Sequence, residues 1–150
     1  MPDEWFHLNS GPGRAAHNMA ADEALLDHAA ASERPILRFY GWTEPAATFG
    51  YSQRFAEISR LTQLRPLIRR TTGGGLVPHD ADWTYSVAVP PGHEWYDLKA
   101  TASYRRMHEW LRDAFAEIGV ATSRNVAHQI IAQRFGAVFI SERVWIDNVA

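Results

Sequence analysis

Three consecutive glycines, Gly73, Gly74 and Gly75, constrain this chain more than any other feature. Glycine has no Cβ, so such a run leaves the backbone unshielded and lets its N–H groups approach an anion closely. Leu67 and Ile68 form a short apolar lead, Arg69, Arg70, Thr71 and Thr72 enter the run, and Leu76, Val77 and Pro78 carry it to His79 and Asp80. The local reading is strand, loop, strand. Two arginines add charge of the kind that pairs with a carboxylate or phosphate. Adjacent residues of an extended segment point to opposite faces, so only one of Arg69 and Arg70 enters a pocket formed there. A turn that merely needs positive φ explains the glycines equally well. The polar residues crowding both ends of the loop favour a site.

Around this loop the pattern predicts an alternation of helices and strands. Residues 18–31 read as a helix with Asn18 at its N-cap, Asp22 and Glu23 in the early turns and Met19, Leu25 and Leu26 on an apolar stripe. Ile36–Tyr40 alternates and reads as a strand, followed by a turn at Thr43–Pro45 and a second strand near Ala47–Gly50, a natural hairpin. Phe55–Leu64 reads as a short helix that Pro66 prevents from continuing. Trp83–Val89 reads as a strand with Trp83, Tyr85, Val87 and Val89 on one face. Thr101–Ile118 is the clearest helix, with Tyr104, Met107, Leu111, Phe115 and Ile118 spaced by three and four, Thr101 or Ser103 as cap and Gly119 as stop. Helices and strands mixed without a strict βαβ rhythm imply an α+β domain on a mixed, mostly antiparallel sheet flanked by helices.

The 150 residues suit one domain, and 46% apolar with 21% charged content fits a soluble globular protein. No run approaches a membrane span, and the first twenty residues carry charges where a signal peptide needs a continuous apolar stretch, so a cytoplasmic location is expected. A net charge of −2 without a basic block argues against nucleic acid as partner. There is no cysteine, which removes thiol nucleophiles and zinc-thiolate sites, and Lys99 is the single lysine among the fifteen basic residues. His79, Asp80 and Asp82 invite a metal reading. Three polar residues within four positions are more simply the rim of a turn, and no metal site is expected.

The stretch RRTTGGGLVPHDADWTYS resembles the RR-x-[ST]-GGG-x-V-x-H-D signature of lipoate-protein ligases, within the wider group of biotin and lipoate ligases and octanoyl transferases. HNMAADEALL and LRFYGWTEPAATFGYSQ are similar to that family's first helix and first strand pair, and the likeness spans residues 3–120. It implies a class II synthetase-like fold and an ATP-dependent ligase: lipoate attacks ATP, Mg2+ arriving with the nucleotide, and the lipoyl-adenylate then acylates a lysine. The acceptors implied are lipoyl domains of 2-oxoacid dehydrogenase or glycine cleavage complexes. Carried onto this sequence, the adenylate- and substrate-binding residues are Arg70, Thr72, Gly73, Gly74, Gly75, His79 and Trp42. Phe39, Tyr40 and Trp42 are either core aromatics or the lining of a channel for an octanoyl-length chain, where each buried methylene contributes about 0.8 kcal/mol.

Residues 121–150 depart from the family pattern. The G-x-K-[IL]-x-G block, whose lysine reaches the adenylate, is absent; only Val138, Phe139 and Asp147 echo that part of the family, and Lys99 reads as a solvated residue leading the long helix. No catalytic residue is identified. The chain is therefore expected to be the N-terminal part of a ligase, inactive alone or one half of a split enzyme completed by a separate accessory polypeptide. The alternatives are a non-catalytic module that binds lipoate or acyl-adenylate or docks lipoyl domains, and a biotin-protein ligase-like enzyme. An octanoyl transferase needs a cysteine nucleophile, which these residues lack.

Overall fold

The computed structural model describes residues 4–80, 82–121 and 137–140. In chain order the elements are β1 (Phe6–Gly13), α1 (Ala15–Ser32), β2 (Ile36–Trp42), β3 (Ala46–Phe49), α2 (Phe55–Ile58), β4 (Leu67–Arg69), β5 (Val77–His79), β6 (Thr84–Ala88), α3 (Ala100–Glu117) and β7 (Ala137–Ile140). They form two small mixed sheets, ordered β1-β2-β6-β7 and β4-β3-β5. The fold is α+β, as expected. Among the described residues the β1–β2, β6–β7 and β3–β4 pairings are parallel and the β2–β6 and β3–β5 pairings antiparallel, so both sheets are mixed.

The larger sheet is covered on both faces. Leu37 lies opposite Val87 and Phe39 opposite Tyr85. This face packs with Val89, Trp95 and Met107, joined by Tyr104 and Leu111 of α3. The apolar stripe of α3 is core over most of its length, while Ile118 at its end is exposed. Trp83, 57% exposed, lies at the edge of this face with its ring 6.2 Å from that of Phe39. On the opposite face Ile36 and Ala88 pack against Ala29, Leu25 and Leu26 of α1.

Several local readings need correction. α1 begins at Ala15, and Asn18 is not its cap: the side chain is buried and donates to the carbonyls of Gly13 and Gly41, ending two strands rather than satisfying helix amides. β2 and β3 do not form a hairpin, because β2 is flanked by β1 and β6 while β3 is flanked by β4 and β5. α2 stops at Ile58, and the chain leaves the helix through turns in which Thr62 Oγ1 accepts the Leu64 N–H. At α3, Ser103 Oγ donates back to the Lys99 carbonyl, so no side chain caps the helix; Gly119, at φ 79°, closes it as expected. Lys99 is exposed at its start. β7 adds a strand that sequence reading did not assign, carrying Val138 and Phe139; Asp147 and most of residues 121–150 lie outside the described residues. No helix among the described residues is long and apolar enough to cross a membrane.

Candidate functional site: a glycine loop at the junction of two sheets

The glycine loop is tied to the end of β3 and the segment that follows it. Arg70 N–H donates to the Phe49 carbonyl at 2.8 Å, and Tyr51 N–H to the Thr72 carbonyl at 2.9 Å. Between these bonds Gly50 faces the loop so closely that a Cβ there would overlap the Gly74 carbonyl and lie 2.9 Å from the Gly73 carbonyl carbon. Gln53 closes the same turn, accepting the Gly50 N–H and donating its own N–H to the Gly50 carbonyl, both at 3.0 Å. Gly74 has φ 94°, a conformation that glycine adopts without strain.

Arg70 lies beneath the loop. Its Nη2 donates to the carbonyls of Gly73 and Gly75, both at 2.9 Å, and its Nη1 to Thr48 Oγ1 at 2.9 Å. Burial pushes the guanidinium down to about 10, which leaves it charged at neutral pH. Arg70 is the inward-facing member of the arginine pair, as the strand geometry requires, and it is spent on shaping the loop. Arg69 is exposed but not idle: it lies over the Phe49 ring and donates to the carbonyls of Tyr51 and Gln53.

What the loop offers a ligand is on its other side. Among the described residues, no hydrogen bond runs from the amides of Gly73, Gly74 or Gly75 to another part of the chain. The neighbouring Thr72 is 5% exposed, and its Oγ1 is buried with no hydrogen-bond partner. A buried polar atom without a partner costs about 1–3 kcal/mol. This grouping of donors is suited to a negatively charged oxygen.

His79 of β5, fully buried, links the loop to the larger sheet. Its Nε2 lies 3.0 Å from Thr48 Oγ1 and its Nδ1 2.9 Å from Asp82 Oδ2. Asp82 Oδ2 also accepts from the Thr84 hydroxyl, and Thr84 Oγ1 accepts from Trp42 Nε1. Trp42 stacks on the His79 ring with centroids 3.8 Å apart. Burial works against the charged Asp82 carboxyl, but the hydrogen bonds from His79 and the Thr84 hydroxyl outweigh it and hold the group below its ordinary value. Thr48, His79 and Asp82 have the connectivity of a nucleophilic triad. Thr48 is fully buried, however, and Arg70 occupies its oxygen, so it is not presented to a substrate. Both nitrogens of His79 are similarly engaged, which removes the lone pair a metal would need. Among the described residues no group of three or more His, Cys, Asp or Glu side chains could hold a metal.

The structure thus brings Arg70, Thr72, Gly73, Gly74, Gly75, His79 and Trp42 to one junction. Of the other aromatics, Phe39 packs toward α3, while Tyr40 lies on the opposite face, its ring 5.7 Å from that of Trp42 and its hydroxyl donating to Asp22. Sequence reading missed Thr48 and Thr84 as parts of the site and gave Gly50 no role. Thr48 carried a signal, since it is the one polar residue of the otherwise apolar Ala46–Phe49 strand. It also missed the buried network beside the site. Asp22 accepts from Arg38 Nη1 and Ser86 Oγ, both at 2.7 Å, and Arg38 continues to Asn18 and Ser10.

Comparison with known proteins fits this architecture. Two octanoyltransferases named LipM are similar to the chain: that of Macrococcus caseolyticus is 36% identical over 79% of this chain and 45% of its own length, and that of Staphylococcus aureus 35% over 81% and 46%. Among solved structures, a candidate lipoate protein ligase from T. acidophilum superposes with a TM-score of 0.61 and 28% identity, covering 82% of this chain and 53% of its own. A lipoate-protein ligase A bound with ATP gives 0.56 and 26%, covering 81% and 49%. The chain spans about half the length of these relatives. The family model for the lipoyl protein ligase A/B catalytic domain matches residues 14–146, and this chain belongs to that family.

Proposed function

We propose that this chain holds the activated end of a lipoyl or octanoyl group and forms the acyl-binding half of an enzyme that delivers it to a lysine of an acceptor protein. One observation carries the reading: among the described residues the Gly73–Gly75 amides have no acceptor, and the buried Thr72 hydroxyl beside them has no partner. An adenylate phosphate or the oxyanion of a tetrahedral acyl intermediate would satisfy them. Donors fixed in advance stabilise developing charge without reorganising. In this reading Thr72, Gly73, Gly74 and Gly75 contact the ligand, whereas Arg70, His79 and Trp42 shape the pocket from behind.

ATP and lipoate are the substrates of the ligase form, and the acceptors are lipoyl domains of 2-oxoacid dehydrogenase or glycine cleavage complexes in the cytoplasm. Mg2+ would arrive on the phosphates, held by their oxygens and water. These 150 residues contain no cysteine and one lysine, exposed at the start of α3. A thiol nucleophile, or a lysine reaching the adenylate, therefore has to come from outside them, as an accessory polypeptide would provide.

ATP-independent octanoyl transfer is the second reading, favoured by higher identity to the octanoyltransferases (36% and 35%) than to the ligase structures (28% and 26%). Calorimetric titration with a sulfamate analogue of lipoyl-adenylate tests the shared core of both. Binding that weakens about tenfold or more in Thr72→Val is expected for a hydrogen bond to a charged group. Absence of binding to the unsubstituted chain would overturn the proposal. Lipoate-dependent release of pyrophosphate from ATP then separates ligase from transferase.

A further inference from the structure

One buried chain of hydrogen bonds runs from Asp82 to the glycine loop, and chemistry determines its direction. Arg70 Nη1 can only donate, so Thr48 Oγ1 accepts. The Thr48 hydroxyl proton then goes to its other neighbour, His79 Nε2, at 3.0 Å. With Nε2 accepting, the imidazole proton sits on Nδ1 and is donated to Asp82 Oδ2 at 2.9 Å. A neutral His79 protonated on Nδ1 satisfies Arg70 Nη1, the Thr48 hydroxyl and both imidazole nitrogens together.

We propose that Thr48 is a positioning residue, which fixes this His79 tautomer at one end and holds Arg70 beneath the glycine loop at the other. The consequence lies in the loop's peptide planes. In a trans peptide the carbonyl and the following N–H point in opposite directions. Arg70 draws the Gly73 carbonyl toward itself and so turns the Gly74 N–H away from the guanidinium. The Gly74 carbonyl lies against Gly50, which turns the Gly75 N–H away from that side. Thr48 therefore acts on the ligand only through Arg70.

The effect on ligand affinity rests on the proposed acyl-oxyanion reading; the tautomer does not. Nitrogen-15 NMR of the histidine-labelled 150-residue chain, free of ligand at neutral pH, should show His79 neutral with its proton on Nδ1. Thr48→Ser should keep that pattern and bind the sulfamate analogue as the unsubstituted chain does. Thr48→Val should alter the His79 nitrogen shifts and weaken the analogue about tenfold or more. A His79 protonated on Nε2 or on both nitrogens in the unsubstituted chain would overturn the proposal, and so would a folded Thr48→Val that keeps both tautomer and affinity. If Thr48→Val does not fold, the unsubstituted chain's tautomer decides. If the analogue does not bind the unsubstituted chain, the ligand reading falls while the NMR result still judges the relay.

Discussion

Replacing Thr72 with valine removes a buried hydroxyl that has no partner among the described residues. Stability should stay level or rise slightly, because an unpaired polar atom is exchanged for a methyl group of similar size. Affinity for an acyl-adenylate analogue should fall by about 1.5–3 kcal/mol, the range for hydrogen bonds to charged groups. Thermal melts alongside titration check both halves, and loss of stability with unchanged affinity would make Thr72 an ordinary core residue. Gly50→Ala should act in the opposite sense. Its Cβ would overlap the Gly74 carbonyl, so a loss of about 1–3 kcal/mol in chemical denaturation is expected. At this scale the glycine motif and the inward arginine were legible, since strand alternation alone separates Arg69 from Arg70. The use of Arg70 was not: its acceptors, Thr48 and the carbonyls of Gly73 and Gly75, depend on backbone path rather than residue type.

Among the elements, α1 shows how a periodic stripe hides a polar centre. Ala15, Asn18, Met19, Asp22 and Ala29 are its buried positions, spaced for one helical face, yet Asn18 and Asp22 read from sequence as cap and early-turn anion. Burial raises the Asp22 carboxyl, against the lowering effects of Ser86, Arg38 and Tyr40. Asp22→Ala should cost about 3–5 kcal/mol by stranding the buried Arg38 charge, measurable by denaturant unfolding. Loss below 1 kcal/mol would mean that Arg38 finds another partner. The β2–β3 turn misled for a related reason: hairpin signals are local, whereas strand partners are chosen by which faces bury together, and Leu37 and Phe39 match Val87 and Tyr85 of β6.

Over the whole molecule, the site is also the seam. Trp42 of β2 stacks on His79 of β5, and Asp82 joins His79 to Thr84 of β6. Trp42→Ala should therefore weaken both sheets, by about 3–5 kcal/mol for a large aromatic truncation, with circular dichroism and fluorescence still reporting one coincident transition. Separate transitions in the unsubstituted chain would show that the seam does not couple the sheets. The seam also predicts a pH dependence. Asp82 is held below its ordinary 3.8 in the folded state, so its contribution is fully present above that value and lost as pH falls through the lower folded one. Asp82→Asn should flatten this acid limb of the stability curve, and an unchanged limb would contradict the assignment. The α+β class was legible from the mixture of periodicities, and the family from its loop signature. The division into two sheets was not, because it rests on contacts between segments distant in the chain, such as Trp42 with His79.

If the glycine amides receive the charged oxygen of an activated acyl group, their own resonances must respond to it. The most direct measurement follows the amide resonances of Gly73, Gly74 and Gly75 by NMR while the sulfamate analogue of lipoyl-adenylate is titrated into the chain. Saturable shifts and slowed hydrogen exchange are expected at these glycines, both reduced in Thr72→Val. An analogue that binds while leaving all three amides unperturbed would contradict this role for the loop.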